Sequence, residues 1–476
     1  MHFKTIFRSF KNKDMLKRIL IILGIIVAYR LLAQIPVPMG DAATFKEAVS
    51  NLLEKSDFSN FLNLISGGGL ASFSIILVGL SPYITGSIVM QLLSKAIPRL
   101  EELSNDGETG RRKINQWTRM LTVPLAIVQS IAYIFILYQS TIAANISTDF
   151  VPSMGDWVLS VTAMTAGSLI LMWMGELITE QGIGNGISML IFASIISQLP
   201  TTMAQLGSAL FDTSNGALNL FGLEIPVDPT VFWIIVGFGI AMIVVIYLLV
   251  KLNEAQRIIT VNYAKRVHGN SMYGGIKSIL PIKLIAAGVV PVIFATAFLS
   301  LPALVGQVIT SFNPGNEVGA WLTTVFSAPS ASNFSAMYPD GITGQWFVYP
   351  AMYFLLVFAF TYFYTSIIFN TKEIADNLQK QGGFIEGVRP GEKTAEYLAK
   401  VVRRLDLFGA LALGLIAMLP FATDYIFILT TGAPLGLSIS GTGLLIVVTV
   451  ALENLRSVDS RALMVTYDDF SNELQD

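Results

Sequence analysis

The most constraining feature of this chain is a series of apolar runs, each about 20 residues long, which is the length a helix needs to cross a bilayer core. Of its 476 residues, 53% are hydrophobic and only 13% are charged, whereas soluble proteins carry about 25% charged residues. Backbone polar groups in lipid must be satisfied internally, which leaves helices or a closed barrel. Barrel strands are short and alternate in polarity. The sequence therefore predicts an all-α membrane protein.

Ten membrane-spanning helices are expected from these runs. Proline occurs in or beside several of them, which membrane helices tolerate when neighbouring groups satisfy the freed carbonyl. The expected spans are approximately residues 18–38, 72–94, 118–139, 157–178, 184–206, 230–251, 282–304, 347–369, 404–424 and 437–455.

The distribution of Lys and Arg predicts the orientation of the spans. All of these residues except Lys46 and Lys55 fall in five segments on one side of the ten-span arrangement, and none lies between Leu121 and Val250. Cytoplasmic loops carry the Lys and Arg excess, so both termini are expected in the cytoplasm. The five segments are residues 1–30, 95–119, 251–283, 372–404 and 456–461.

Three of the cytoplasmic segments are long, at about residues 95–117, 252–281 and 370–403. Their mixed charge suits the docking of a soluble machine, but loops that only fix the topology would look the same. The segments at 207–229 and 305–346 are rich in Gly, Pro, Ser, Thr and Asn and are expected to be external loops.

Ionisable residues are scarce inside the expected spans. Arg30 lies within the first span, and Glu176, Asp424 and Glu453 lie near span ends. A transporter coupled to ions or protons usually carries ionisable groups near the bilayer midplane, and ion filters use rings of acids or carbonyls. This pattern disfavours a small-solute transporter, although that function and a non-conducting scaffold remain as alternatives.

No catalytic, cofactor or metal motif stands out. The chain has no cysteine, and its two histidines, His2 and His268, lie far apart. The glycines in Gly182–Gly186 follow a membrane helix rather than a strand, and Gly107–Lys113 lacks the Gly-Lys-Ser/Thr order of a phosphate loop. We therefore expect no enzyme activity, no cofactor and no metal, with energy supplied by a partner.

Several motifs, in order along the whole chain, resemble the SecY family of protein-secretion channels. Each motif alone is moderate evidence, but the ordered set is specific. The matching stretches are Phe61–Leu70, Val78–Ile84, Gly107–Ile114, Gly175–Ser188, Val261–Arg266, Ala375–Leu378 and Gly387–Glu392.

This resemblance implies an architecture and a function. The family folds as two pseudo-symmetric five-helix halves around a central hourglass pore, which correspond here to residues 1–228 and 229–476. The implied function is a passive channel, driven by a partner motor ATPase or the ribosome. It would move unfolded secretory polypeptides across the plasma membrane and release membrane-protein segments sideways through a lateral gate.

The resemblance also places a ring of apolar residues at the neck of the pore. A narrow apolar ring dewets and so holds back ions. Three of the positions are four residues apart in the second span and share one helix face, but the same spacing would suit helix packing or a lipid-facing surface. The ring positions are Leu80, Ile84, Ile88, Ile191, Ile293 and Ile446.

The segment at about residues 61–70 resembles the plug that closes the family's pore from outside. Three successive glycines give it a backbone that bends readily, although an ordinary external turn would also use them. The plug residues singled out are Phe61, Leu64, Ile65, Gly67, Gly68, Gly69 and Leu70.

The lateral gate of the family lies between its second and seventh helices. Ser87 and Gln91 are polar groups expected at or near this seam. The family often has a polar Asn in the seventh helix where this chain has Ile285. We expect this departure to alter slightly the hydrophobicity that a segment needs to open the gate.

The loops at 252–281 and 370–403 resemble the family's docking surface for the ribosome and the SecA motor. Arg389 matches a functionally important arginine, although it would equally suit stabilisation of the turn before Pro390. Basic pairs common in relatives are here Arg257-Ile258 and Asn270-Ser271. Because phosphate contacts scale with basic residues, ribosome affinity is expected to be lower or to be carried by other residues. The resemblance further implies SecE-like and SecG-like small membrane subunits. The docking residues are Arg257, Lys265, Arg266, Arg389 and Glu392.

Overall fold

The computed structural model describes most of the chain, and the structure below is that of the described residues. The described residues are 13–38, 72–143, 153–211, 218–220, 223–227, 229–263, 266–268, 271–273, 277–288, 290–313, 315–327, 347–431, 443 and 445–461.

Helices dominate the described residues, as the apolar runs predict, since a helix satisfies its own backbone groups in lipid. The helices are α1 (Lys13–Leu32), α2 (Ser81–Ala96), α3 (Pro98–Asn105), α4 (Gly107–Ala143), α5 (Met154–Glu180), α6 (Gly186–Leu210), α7 (Pro229–Glu254), α8 (Val290–Phe312), α9 (Glu317–Phe326), α10 (Val348–Ile368), α11 (Thr371–Lys380), α12 (Glu392–Thr431) and α13 (445–461).

Short strands lie between the helices and form three small antiparallel sheets. The largest has the order β6-β3-β7, and the others are the hairpins β1-β2 and β4-β5. Their bounds are β1 (Leu218–Leu220), β2 (Leu223–Ile225), β3 (Gln256–Tyr263), β4 (Arg266–His268), β5 (Ser271–Tyr273), β6 (Lys277–Lys283) and β7 (Gly383–Ile385).

Several helices begin at side-chain caps that the sequence supplies. Ser153 and Asp156 form a reciprocal capping box at the start of α5, and the Asn185 side chain accepts from two backbone N–H groups at the start of α6. Asn370 caps α11 in a similar way. These caps satisfy donors that a helix start leaves free.

Within the described residues, six stretches are long and apolar enough to cross a membrane. The expected first, second and tenth spans correspond to α1, α2 and α13, which do not meet this measure, and the expected fifth corresponds to a shorter apolar helix, Gly186–Pro200. The protein is thus a mostly helical multi-pass membrane protein, and the number ten stays a prediction. The six stretches are Arg112–Gln139, Met154–Glu180, Ile235–Glu254, Val290–Phe312, Val348–Lys380 and Glu392–Ala422.

Two expected spans begin later than their apolar runs. Residues 72–80 form turns, and the second helix starts only at Ser81. The strand β6 continues to Lys283, and the seventh helix starts at Val290. In both places Pro occupies the first helical turn, at Pro82 and Pro291, where its missing N–H costs nothing.

The described chain forms two compact units, which do not follow the division at residue 228. The first comprises Met1–Ala241, Thr296–Tyr349 and Pro420–Asp476, and the second comprises Met242–Ala295 and Pro350–Leu419. In the first unit α2 packs against α4, α4 against α5, and α5 against both α6 and α1. Its buried core draws on Phe73, Leu77, Ile134, Met164 and Leu304, among others.

The second unit has a core of its own beneath the three-stranded sheet. Ile259 and Val261 of β3, Ile282 of β6 and Ile385 of β7 pack against Leu398 of α12. The alternation of buried and exposed residues along β3 is typical of a strand that covers a core on one face. This sheet therefore joins the expected cytoplasmic loops at 252–281 and 370–403 into one folded body.

Candidate functional site

The six residues expected in the pore ring are all buried. Leu80 precedes α2, Ile84 and Ile88 lie in α2, Ile191 in α6, Ile293 in α8 and Ile446 in α13. Their exposed fractions lie between 2% and 6%. Five of them belong to the first unit, and Ile293 belongs to the second.

Burial separates these residues from exposed neighbours of the same kind. In α2, Ile88 is 4% exposed whereas the adjacent Val89 is 37% exposed, and in α6 Ile191 is 2% exposed whereas Ile196 is 38% exposed. Side chains that face lipid have no protein covering them, so they would be exposed in this structure, and the ring positions are not. Of the interpretations that the sequence leaves open, pore lining and helix packing remain.

The plug expected at residues 61–70 lies outside the described residues. That range includes Phe61, Leu64, Ile65, Gly67, Gly68, Gly69 and Leu70. The description resumes at Ser72, in the segment of turns that leads into α2.

The two polar residues expected at the lateral gate interact with each other. The Gln91 side-chain amide donates to the Ser87 hydroxyl, 3.0 Å away. The other Gln91 side-chain atom, Oε1, is buried and accepts no hydrogen bond from the residues the structure describes. Ile285, expected in the seventh helix, lies before the start of α8; it is 6% exposed and lies beside Gly409 of α12.

An ion pair joins α4 and α5 near the expected cytoplasmic ends of these helices. The Arg119 Nε lies 2.6 Å from the Glu176 Oε1, and the side chains are 48% and 19% exposed. The positive charge of Arg119 thus compensates the negative charge of Glu176, as is usual for ionisable groups in membrane helices. The pair belongs to the packing of the first unit and supplies no free intramembrane charge.

The turn between α5 and α6 is held by two arginines from distant parts of the chain. Arg18 Nη1 in α1 donates to the Gln181 carbonyl at 2.7 Å, and Arg461 Nε in α13 donates to the Gly182 carbonyl at 3.2 Å. We call residues 181–185 with Arg18 and Arg461 the arginine clasp. It ties α1 and α13, near the two ends of the chain, to the same turn.

Glycine makes the arginine clasp possible. Gly182 and Gly184 have φ values of 72° and 94°, in the left-handed region that favours glycine. A methyl group on Gly182 would overlap the Arg461 guanidinium, and one on Gly184 would overlap the Asn454 side chain. Sequence reasoning singled out these glycines but missed Arg18 and Arg461, because nothing local pairs them with the turn.

Three of the expected docking residues lie in or next to the three-stranded sheet of the second unit. Arg257 is exposed in β3, and Arg389 is exposed in the turn after β7. The Arg389 carbonyl accepts from the Thr394 hydroxyl at 2.9 Å, and Glu392 is the first residue of α12. The Arg389 carbonyl thus helps to fix the turn, while the residue itself is exposed.

Two other docking candidates are described less fully. Lys265 lies outside the described residues, and Arg266 begins β4. The outward face of the sheet carries Ile258 and Ile279, which are 54% and 61% exposed. At the place where basic pairs were expected from relatives, this surface is therefore partly apolar.

No group of three or more His, Asp or Glu side chains is placed to hold a metal ion in the part of the chain that the structure describes. The site that the described residues build is a set of buried aliphatic side chains, a hydrogen-bonded polar pair on α2 and an exposed basic surface.

The family model of SecY matches residues 74–455 of the chain. The protein translocase subunit SecY of Streptomyces scabiei is 38% identical over 472 residues, which covers 97% of this chain and 98% of that protein. The protein of the same name from Corynebacterium glutamicum is 37% identical over 473 residues and covers 98% and 99%.

Solved structures with a similar fold are also SecY-like or Sec61 channels. A protein-conducting channel matches with a TM-score of 0.63 at 18% identity, covering 92% of this chain and 90% of that one. Sec61 from a canine ribosome-channel complex of the endoplasmic reticulum matches with a TM-score of 0.60 at 18% identity and the same coverage. These likenesses extend over nearly the whole chain and show a common fold.

Proposed function

The chain belongs to the SecY family of protein translocase subunits, and from this premise we propose that polypeptides cross the membrane through an apolar neck built from its six ring residues. As a member of that family it is a non-enzymatic channel component that moves proteins across a membrane. The proposed neck consists of Leu80, Ile84, Ile88, Ile191, Ile293 and Ile446.

The observation that carries this proposal is the burial of all six aliphatic side chains at 6% exposure or less. A narrow ring of buried isoleucine and leucine side chains excludes water and thus opposes ion flow. The same side chains offer no hydrogen bonds that would hold a passing chain. A neck of this composition seals against ions yet lets an extended polypeptide slide.

Lateral release is proposed at a gate that includes Ser87, Gln91 and Ile285. Sufficiently apolar segments would partition from the gate into lipid, whereas polar ones continue across. The buried Gln91 Oε1 accepts no hydrogen bond from the described residues. This supports a role for α2 at the gate, because a hydrogen bond from a polar group of a passing segment would stabilise that atom.

The topological proposals rest on charge and on the family's symmetry. We assign residues 1–228 and 229–476 to two pseudo-symmetric halves around an hourglass pore closed by the plug at 61–70. Because the Lys and Arg clusters mark the cytoplasmic side, both termini are placed in the cytoplasm. The protein would lie in the plasma membrane, as its bacterial relatives suggest.

The proposed partners follow from the exposed basic residues of the second unit and from the family. The exposed basic residues of the second unit would receive the ribosome or the SecA motor ATPase, since guanidinium groups bind carboxylates and RNA phosphates. The docking residues are Arg257, Lys265, Arg266, Arg389 and Glu392. SecE-like and SecG-like small membrane subunits would complete the channel, whose substrates are chains that carry signal sequences.

A crosslinking experiment tests the proposed neck directly. The sequence contains no cysteine, so a single cysteine can be placed at Ile191 with Ile196→Cys as the control in the same helix. Each variant is offered a stalled secretory chain with one cysteine in its translocating segment. We expect a disulfide with Ile191→Cys and none with Ile196→Cys, whose position is 38% exposed and lies outside the buried ring.

The contrary result is equally clear. If Ile191→Cys forms no crosslink while the protein is folded and bound to its SecE-like subunit, then Ile191 does not line the path. If both variants crosslink to the same extent, the translocating chain does not follow a neck defined by these buried residues.

A further inference from the structure

A segment of turns, residues 72–80, stands where the sequence predicts the start of a membrane helix. We call it the anchor segment. It is largely buried, with Phe73, Ile76, Leu77 and Val78 at most 2% exposed. Phe73 has a φ of 48°, a left-handed value that bulky residues adopt only when the surrounding structure enforces it.

The anchor segment is hydrogen-bonded to the chain that follows α1. The Val37 N–H donates to the Phe73 carbonyl at 2.9 Å, and the Ile75 N–H donates to the Ile35 carbonyl at 3.0 Å. These two bonds make Pro36 and Ser74 an antiparallel bridge pair. They satisfy backbone groups that would otherwise be left unpaired away from water.

The helix α5 holds the other side of the anchor segment. The Ser168 hydroxyl, which is buried, donates to the Gly79 carbonyl at 2.9 Å. At Gly167 a methyl group would overlap the Ile75 carbonyl, so only glycine lets α5 approach this closely. The anchor segment is thus hydrogen-bonded near both of its ends, at Phe73 and Ile75 and at Gly79, the residue before Leu80.

From these contacts we infer that the anchor segment stays fixed when the channel works, and that Gly167 and Ser168 are positioning residues that set where α2 starts. The inference rests on the proposed function, because α2 carries Ile84 and Ile88 of the proposed neck. The Ser168 bond ends at Gly79, next to Leu80, so a shift of this bond moves the first turn of α2. Gly167 and Ser168 thereby control the closed width of the neck without lining it.

A covalent lock tests whether the anchor segment is fixed. Pro36 and Ser74 form the non-hydrogen-bonded type of antiparallel pair, in which Cα atoms lie about 4.5 Å apart, within the range that a disulfide spans. The Ser74 hydroxyl has no hydrogen-bond partner among the described residues, so its replacement breaks no bond. The double variant Pro36→Cys, Ser74→Cys is compared oxidised and reduced.

We expect the oxidised and reduced forms to translocate a secretory protein at equal rates. Loss of translocation on oxidation, restored by reduction, would overturn the inference because the anchor segment would then have to move. The unaltered protein in the same assay distinguishes a failure of the proposed function from a failure of the inference about the anchor segment. If it fails to translocate, the proposed function is wrong, whereas failure of the oxidised variant alone concerns only the anchor.

A second measurement tests the positioning residues through the resting ion leak. Ser168→Ala removes the bond to Gly79, and Thr162→Ala is the control, since Thr162 is exposed in the same helix and bonds only to its own turn. We expect Ser168→Ala to raise the ion conductance of the idle channel on the order of tenfold, because the bond favours the held position of the start of α2 over a shifted one, and a lost buried hydrogen bond changes such a ratio by about that factor. Thr162→Ala should leave the leak unchanged.

The variant Gly167→Ala is expected to leak as Ser168→Ala does, or to fail to fold because of the overlap with Ile75. Ser168→Ala only removes an oxygen and so keeps the test decisive in either case. An idle conductance of Ser168→Ala equal to that of Thr162→Ala would show that the bond does not position the neck. A fall in thermal midpoint without a change in leak would give Ser168 a purely structural role and would also overturn the inference.

Discussion

Arg461 Nε donates to the carbonyl of Gly182, although 279 residues separate the two along the chain. The bond brings the end of α13 onto the turn between α5 and α6, and Arg18 from α1 binds the neighbouring Gln181 carbonyl. The first and last described helices are therefore fastened to one turn of the first unit.

Removal of the Arg461 side chain should destabilise this unit. Arg461→Ala leaves the Gly182 carbonyl without its donor, and a hydrogen bond from a charged group is worth about 1.5–3 kcal/mol. Because Arg461 is only half-buried, we expect the free energy of unfolding to fall by an amount near the lower end of that range. The thermal midpoint of the purified protein in detergent measures it.

The control for Arg461→Ala is Ser460→Ala, since Ser460 is exposed and bonds only within α13. Ser460→Ala should leave the midpoint unchanged. An Arg461→Ala midpoint equal to that of the control would mean that the arginine clasp contributes no stability.

Glycine at the turn should be irreplaceable at residue 184. Gly184→Ala forces a side chain into a left-handed conformation and into the Asn454 amide, with strain of about 1–3 kcal/mol. Gly207 in α6 is the matched control, because a methyl group there meets nothing within 4 Å and alanine favours a helix over glycine by about 1 kcal/mol. We expect the thermal midpoint to fall for Gly184→Ala and to hold or rise for Gly207→Ala.

A polar group at residue 285 should loosen the selection of signal sequences. Ile285 is 6% exposed, so Ile285→Asn buries an amide whose unpaired groups cost about 1–3 kcal/mol in the closed gate. The variant should therefore export substrates whose signal sequences are too weakly hydrophobic for the parent. Ile285→Val is the control. The same preference for strong over weak signals in Ile285→Asn as in the parent and Ile285→Val would end this hypothesis.

The basic surface of the second unit should bind ribosomes with a modest dependence on salt. Each lost phosphate contact lowers the slope of log affinity against log salt by about 1. Arg389→Ala and Arg257→Ala should each weaken binding and flatten this slope. Lys393→Ala is the control, because Lys393 is engaged with Glu396 at 2.8 Å.

Binding measured at several salt concentrations gives the slopes directly. A steep slope for the parent would contradict the expectation drawn from Ile258 and Asn270-Ser271, where relatives have basic pairs. Slopes for Arg389→Ala and Arg257→Ala that match the parent would remove both residues from the contact.

The sequence by itself determined that this is a helical membrane protein, because the need to satisfy backbone groups in lipid acts on each apolar run separately. It also placed α5, α6, α7 and α10 within a few residues, and singled out the glycines of the α5–α6 turn. The ordered motifs identified the family, which the comparisons confirm.

Only the tertiary structure decided which apolar side chains are hidden. Ile88 and Val89 are adjacent and chemically alike, yet 4% and 37% exposed, because packing of α2 against α4 selects one face. A helical period predicts that a face exists but not which neighbour covers it.

The anchor segment and the arginine clasp likewise depend on contacts between distant residues. Residues 72–80 are as apolar as a helix, and Pro82 was the one local sign of a later start. Hydrogen bonds from Val37 and Ser168 hold the segment in turns, and no local pattern encodes partners so far along the chain. Local physics therefore fixes the helices, whereas the contacts that position them exist only once the chain is folded.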